Sequence, residues 1–144
     1  MIQLNSFLIL IFFSSLASAI ELTLHKVSDN FYELKVLNTS DKAIDIDSQL
    51  CLSLLAHLNI FIKHSTNKER SLAIKLNEKC KLDSFVTLQP YRFIGRRFHI
   101  EEFKTYYQLS NGSYDVSALL CDSPNINEDK NCHHSNIIKL TIKN

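Results

Sequence analysis

The chain has 144 residues, with 16 Lys and Arg against 15 Asp and Glu, and only two glycines and two prolines. Charges that nearly cancel leave no basic excess of the kind a nucleic-acid surface needs. So few glycines leave no glycine-rich phosphate loop, flexible linker or low-complexity segment.

In chain order, Phe7, Leu8, Ile9, Leu10, Ile11, Phe12 and Phe13 form an unbroken apolar run that leads to Ala17-Ser18-Ala19, the small-residue form of a leader-cleavage site. The run is shorter than the ~20 residues a membrane-spanning helix needs. Residues 1–19 therefore read as a secretory signal peptide, although no Lys or Arg precedes the run. Residues 20–144 read as one domain, exported and then secreted or periplasmic, with no membrane association after cleavage.

Residues 21–27 alternate weakly, with Leu22 and Leu24 on one face, and Ser28-Asp29-Asn30 is a turn signal. Residues 31–38 alternate well, with Tyr32, Leu34 and Val36 facing one way and Glu33 and Lys35 the other, as in a half-buried strand. Ile44 and Ile46 alternate with Asp45 and Asp47. Residues 50–57 fit a buried helical turn or a strand equally well. Leu58, Ile60 and Ile62 mark a strand, residues 64–70 a charged loop tip, and Leu72, Ile74 and Leu76 its hairpin partner. Residues 85–88 are a short strand stopped at Gln89-Pro90, because proline cannot donate to a ladder. A basic, aromatic crossing over residues 91–103 follows, and Asn111-Gly112 is the strongest turn signal in the chain. The next strand buries Tyr114, Val116, Ala118 and Leu120; residues 121–134 form a long polar loop; and Ile138, Leu140 and Ile142 face inward on a closing strand. Seven to nine short strands without a long helix predict an all-β fold, an immunoglobulin-like antiparallel β-sandwich. A barrel would use more glycine at its corners.

Cys51, Cys80, Cys121 and Cys132 all follow the leader, and an even count in an exported chain predicts two disulfides. Of the three possible pairings, Cys51–Cys80 with Cys121–Cys132 is preferred, because each closes a loop between neighbouring elements. Cys51–Cys121 with Cys80–Cys132 is the rival.

Four stretches carry a resemblance: Phe85-x-x-Leu88-x-Pro90, Gly95-Arg96-Arg97, Tyr107-x-Leu109-x-Asn111-Gly112-x-Tyr114-x-Val116, and Ser135-Asn136-x-Ile138-x-Leu140. Together they resemble the second half of small bacterial immunoglobulin-like domains. The nearest is the N-terminal β-sandwich domain that precedes the protease in the deuterolysin and peptidyl-Lys metalloendopeptidase group. Leu34-x-Val36-x-Asn38-Thr39 fits the same pattern, and the resemblance spans about two thirds of residues 20–144. It implies a sandwich and carries no activity. The protease half and its His-Glu-x-x-His helix are absent, and His99-Ile100-Glu101-Glu102-Phe103 has phenylalanine where the second histidine would stand.

The candidate binding residues are Tyr91, Arg92, Arg96, Arg97 and His99, interleaved with Phe93 and Phe98. Arginine and aromatic side chains anchor interfaces, so this stretch suits a protein partner or a surface glycan. Its plainer use is core filling by Phe93 and Phe98, with the arginines solvated or paired to Glu101 and Glu102. Cys132-His133-His134, with Cys121, Asp122 and Asp129 near in sequence, offers ligand types for zinc or copper but matches no closed zinc spacing. A disulfide-closed loop is the preferred reading, and neither a metal nor another cofactor is expected. There is no Gly-x-Ser-x-Gly elbow and no thiol-enzyme Cys–His context. Glu101 and Glu102 are adjacent and on a strand would face opposite sides. Asn38-Thr39-Ser40 and Asn111-Gly112-Ser113 have the form of glycosylation acceptors, and both sit where a turn favours asparagine. The expected function is a non-catalytic binding module that recognises a protein or a glycan through its end loops. An inhibitor of an exported protease, acting through residues 64–70, is the alternative. A small metal-binding exported protein is the third reading.

Overall fold

A computed structural model describes residues 19–54, 56–81, 84–122 and 131–143. The leader expected over residues 1–19 lies outside them except for Ala19. The elements are β1 (Ile20–Lys26), β2 (Phe31–Asn38), β3 (Ile44–Asp47), β4 (Leu58–His64), β5 (Asn67–Leu72), β6 (Phe85–Leu88), β7 (Phe93–His99), α1 (Ile100–Tyr107), β8 (Gly112–Cys121), β9 (Cys132–His134) and β10 (Ile138–Ile142). All strand pairs are antiparallel.

One sheet runs β1-β2-β7 and the other β10-β8-β4-β5. β9 shares an edge of β8 with β10: Ile138 to Ile142 pair with the first half of β8, and Cys132 to His134 with its last three residues. This order matches the A-B-E and G-F-C-C′ sheets of an immunoglobulin-like sandwich. β3 and β6 pair with each other apart from both sheets. The described residues form ten strands, one above the expected upper bound, because a three-residue strand forms at the end of the stretch read as a polar loop.

Period-two patterning decides which side chains go inside. Leu22 and Leu24 from β1, Tyr32, Leu34 and Val36 from β2, Leu58, Ile60 and Ile62 from β4, and Tyr114, Val116, Ala118 and Leu120 from β8 are all buried in one core. α1 closes one side of it. Phe103 sits with its ring 5.8 Å from Tyr32 and 5.4 Å from Phe98. The Tyr107 hydroxyl donates to Ile60 O at 2.7 Å, and burial raises its pKa well above the usual tyrosine value. The helix starts at a capping box: the His99 N–H donates to the Glu102 carboxylate at 2.8 Å and the Glu101 N–H donates to His99 Nδ1 at 3.2 Å. It ends at Gln108 in the left-handed region, φ 53°.

Two side chains tie loops to strands. The Tyr114 hydroxyl donates to Ser110 O at 2.9 Å, four residues upstream, the tyrosine-corner arrangement of sandwich domains. Asn136 takes the place of a missing strand beside β1: its amide accepts from Leu24 N–H and donates to Leu24 O, both at 2.8 Å.

The structure revises the hairpin after β4. β5 begins at Asn67, so most of the expected loop tip over residues 64–70 is paired strand, and only Ser65 and Thr66 lie between β4 and β5. Ile74 and Leu76 do not continue β5. The Lys75 and Leu76 N–H groups instead donate to Tyr106 O at 2.7 and 3.2 Å, satisfying a last-turn carbonyl of α1.

The disulfides are Cys51–Cys80 and Cys121–Cys132, the preferred pairing. Stable disulfides belong to oxidising compartments. Among the described residues, no helix is long and apolar enough to cross a membrane.

Candidate binding surface

The register of β7 against β2 sorts the candidate residues. Phe93 pairs with Leu37, Gly95 with Lys35, Arg97 with Glu33 and His99 with Phe31, while Ile94, Arg96 and Phe98 alternate with them. Phe98 is fully buried, so Phe93, Gly95, Arg97 and His99 face outward.

Arg96 therefore departs from the expectation of a surface ligand-binding group. Its guanidinium turns inward and is bidentate on Glu78, Nη1 to Oε2 at 2.6 Å and Nη2 to Oε1 at 3.0 Å. It also donates to Glu102 Oε2 at 2.8 Å and to Leu50 O at 3.1 Å, and lies 4.6 Å from the Phe98 ring. His99 is the helix cap and meets the Phe31 ring edge-on, centroids 4.9 Å apart. Phe98 fills the core as the plainer reading holds, and Phe93 does not: it is 60 % exposed.

Two exposed candidates, Tyr91 and Arg92, sit just before β7, and the third, Arg97, lies near the strand's other end. Gln89, Pro90, Tyr91 and Arg92 form a tight turn closed by Arg92 N–H to Gln89 O at 3.1 Å. Tyr91, at the third position, has φ 58°. In a turn with proline second and positive φ third, glycine is the residue without steric cost. Tyr91 is held there because its N–H donates to Asn38 O and the Asn38 N–H donates to Arg92 O, both at 3.0 Å. Tyr91 is 69 % exposed. The Lys35 ammonium lies 4.1 Å from the Phe93 ring centre, and Arg97 reaches Glu33 at 3.3 Å on the same face. Tyr91, Arg92 and Phe93 are all exposed where β7 begins, and Lys35 and Arg97 share the outward face of the sheet with Phe93.

Asn38, the turn's clamp, is the one buried polar residue among those described. Its Nδ2 donates to Lys42 O at 2.8 Å and Leu88 O at 3.0 Å, and its Oδ1 accepts from Ser40 N–H at 2.9 Å and Ser40 Oγ at 2.7 Å. An amide so engaged has no room for a glycan, so the acceptor pattern at Asn38 is a structural motif in the folded chain. Asn111 is exposed.

Among the described residues, the metal-ligand types do not assemble as read from the sequence. The sulfurs of Cys121 and Cys132 are joined, so neither is a thiolate ligand. His133 and His134 alternate along β9, and burial holds the His133 pKa below the usual histidine value. Asp129 lies outside the described residues. Cys51, Glu78 and Cys80 do bring three ligand atoms within 4.8 Å of one another, but both sulfurs are in the disulfide and Glu78 is bound by Arg96.

Sequence reading missed the part Glu78 plays, since nothing in its polar stretch distinguishes it. The Arg96 assignment had a usable signal: Ile94 and Phe98 flank it at period two. No family model matches the chain, and no curated protein matches it.

Proposed function

We propose that this protein is an exported, non-catalytic immunoglobulin-like module that recognises a protein or surface glycan through Tyr91, Arg92 and Phe93, backed by Lys35 and Arg97. The observation that carries the reading is the Tyr91 backbone. A large aromatic residue at positive φ costs roughly 1–2 kcal/mol where glycine would cost little. The residue is more than two thirds exposed, so burial recovers little of that cost. Strain of this kind gathers at binding sites because a function keeps it. The two disulfides support export, since they persist outside reducing compartments.

The test is Tyr91→Gly. Urea unfolding is expected to show a variant as stable as the parent or up to ~1 kcal/mol more stable. Retention on a glycan array, or of ligands from the extracytoplasmic fraction of the source organism, is expected to fall at least tenfold. A variant that loses stability would make the ring a structural element. Unchanged retention would remove it from the binding surface.

A further inference from the structure

We infer that the free edge of β7 is a strand-addition site for an extended, acidic segment of a protein partner. The inference rests on the Tyr91 surface being the recognition surface and names how a protein would continue from it.

The hydrogen bonds at the two ends of the β2–β7 ladder settle which backbone groups are free. The Asn38 N–H donates to Arg92 O and the Ile100 N–H donates to Asn30 O. Counting inward along an antiparallel register, Ile94, Arg96 and Phe98 bond to β2, and the N–H and C=O groups of Phe93, Gly95 and Arg97 point away from it. β7 ends its sheet. Among the described residues, nothing hydrogen-bonds those groups. His99 closes the open stretch, because its N–H is held by Glu102 at 2.8 Å. In an immunoglobulin-like sandwich of constant type a fourth strand lies beside this position; here the preceding strand, β6, pairs with β3 instead.

The side chains specify the occupant. Phe93, Gly95 and Arg97 are all exposed. A Cβ at Gly95 would stand 3.0 Å from Leu34 O, so any larger residue there would press on the β2 backbone. The missing side chain leaves a hollow between Phe93 and Arg97 that a partner's aromatic ring can cover, as aromatic residues do opposite edge glycines. Among the outward residues of β2 and β7, Lys35 and Arg97 face a single carboxylate, Glu33, and Arg92 adds a cation where the strand begins. An antiparallel segment would therefore place a carboxylate opposite Arg97, an aromatic residue opposite Gly95 and a branched apolar residue opposite Phe93. Main-chain bonds supply affinity in such complexes and alternate side chains supply specificity. A second copy is the poorer occupant: pairing β7 with β7 about Gly95 sets Arg97 of one chain opposite Phe93 of the other, beside Lys35.

The probe is the capped peptide Thr-Glu-Thr-Tyr-Thr-Val-Thr titrated into the full chain and followed by amide NMR. Saturable binding is expected, with the amides of Phe93, Gly95 and Arg97 shifting and gaining exchange protection. Arg97→Glu is expected to weaken this peptide about fivefold and to favour the Lys-for-Glu peptide by about the same factor. Binding mapped away from β7, an unswitched preference in Arg97→Glu, or no binding of either peptide near ~1 mM overturns the inference. So does a dimer in sedimentation that Arg97→Glu dissolves, which would assign the edge to a second copy. If Tyr91→Gly abolishes retention while the peptide fails, the recognition surface stands and strand addition falls. If the peptide binds while Tyr91→Gly changes nothing, the surface reading falls by itself.

Discussion

Arg96→Leu is expected to cost the protein ~2–4 kcal/mol of stability, while Arg97→Leu costs less than ~1 kcal/mol. The two arginines are neighbours in sequence and differ in what they leave behind. Removing the Arg96 guanidinium strands Glu78, which keeps only the Leu52 N–H at 2.9 Å, together with Glu102 Oε2 and Leu50 O. Fully buried pairs broken on one side cost ~3–5 kcal/mol. The side chains of Arg96, Glu78 and Glu102 are 17 %, 24 % and 31 % exposed, so water relieves part of that. Arg97 is 59 % exposed and its bond to Glu33 is a surface pair. Urea unfolding of the two single variants checks the order. Equal losses would mean that the inward network contributes no more than a surface contact.

The same network gives acid sensitivity a defined sign. Burial alone would raise the Glu78 pKa, but the Arg96 hydrogen bonds, the Leu52 N–H and the Arg96 charge outweigh it and hold the carboxyl below its ordinary value of 4.5. A group whose folded pKa is depressed contributes its stability above the unfolded value and loses it as pH falls through the folded one. Stability is therefore expected to drop as pH goes below about 4.5. In Arg96→Leu the limb assigned to Glu78 should shrink, because the folded carboxylate is no longer favoured over the unfolded one. A parent and variant with identical acid limbs would place the titrating group elsewhere.

The sandwich was legible wherever one face of a strand is apolar. Tyr32, Leu34 and Val36 alternate against Glu33 and Lys35, and a one-residue slip in register would turn all three to the wet face. β7 was harder to read, because its inward set mixes Ile94 and Phe98 with a charge, and an arginine on the core side looks like a break in the pattern. What makes Arg96 tolerable there is two glutamates, one on the far side of a disulfide and one on the following helix, and pairing over such separations leaves no periodic trace. The helix itself had a local signal in His99 and Glu102, a capping pair built on histidine instead of serine or threonine. Ile74 and Leu76 misled for the opposite reason. Their alternation is that of a strand, but the neighbouring N–H groups find Tyr106 O before they find β4. The exposed aromatic end of β7 was legible as composition. The strain at Tyr91 was legible only as a proline followed by the wrong residue for its turn.

Replacing Cys51 and Cys80 together by alanine is expected to cost ~3.6 kcal/mol on the chain-entropy estimate, against ~2.8 kcal/mol for Cys121 and Cys132. The difference follows from separations of 29 and 11 residues. The larger loss should not be independent of Arg96. The Cys51–Cys80 bond joins the two stretches that the guanidinium also joins: Leu50 O and the Leu52 N–H on one side, Glu78 on the other, with the Glu78 N–H donating to Leu52 O at 2.8 Å. With the disulfide gone, Glu78 can turn to water when Arg96 is lost, so the second change costs less than it does alone. A double-mutant cycle between the cysteine pair and Arg96→Leu should return a coupling of roughly 1 kcal/mol, within the range for groups in one network. The same cycle with the Cys121–Cys132 pair should return none. Additive losses in the first cycle would mean that the disulfide and the arginine hold this side of the sandwich separately.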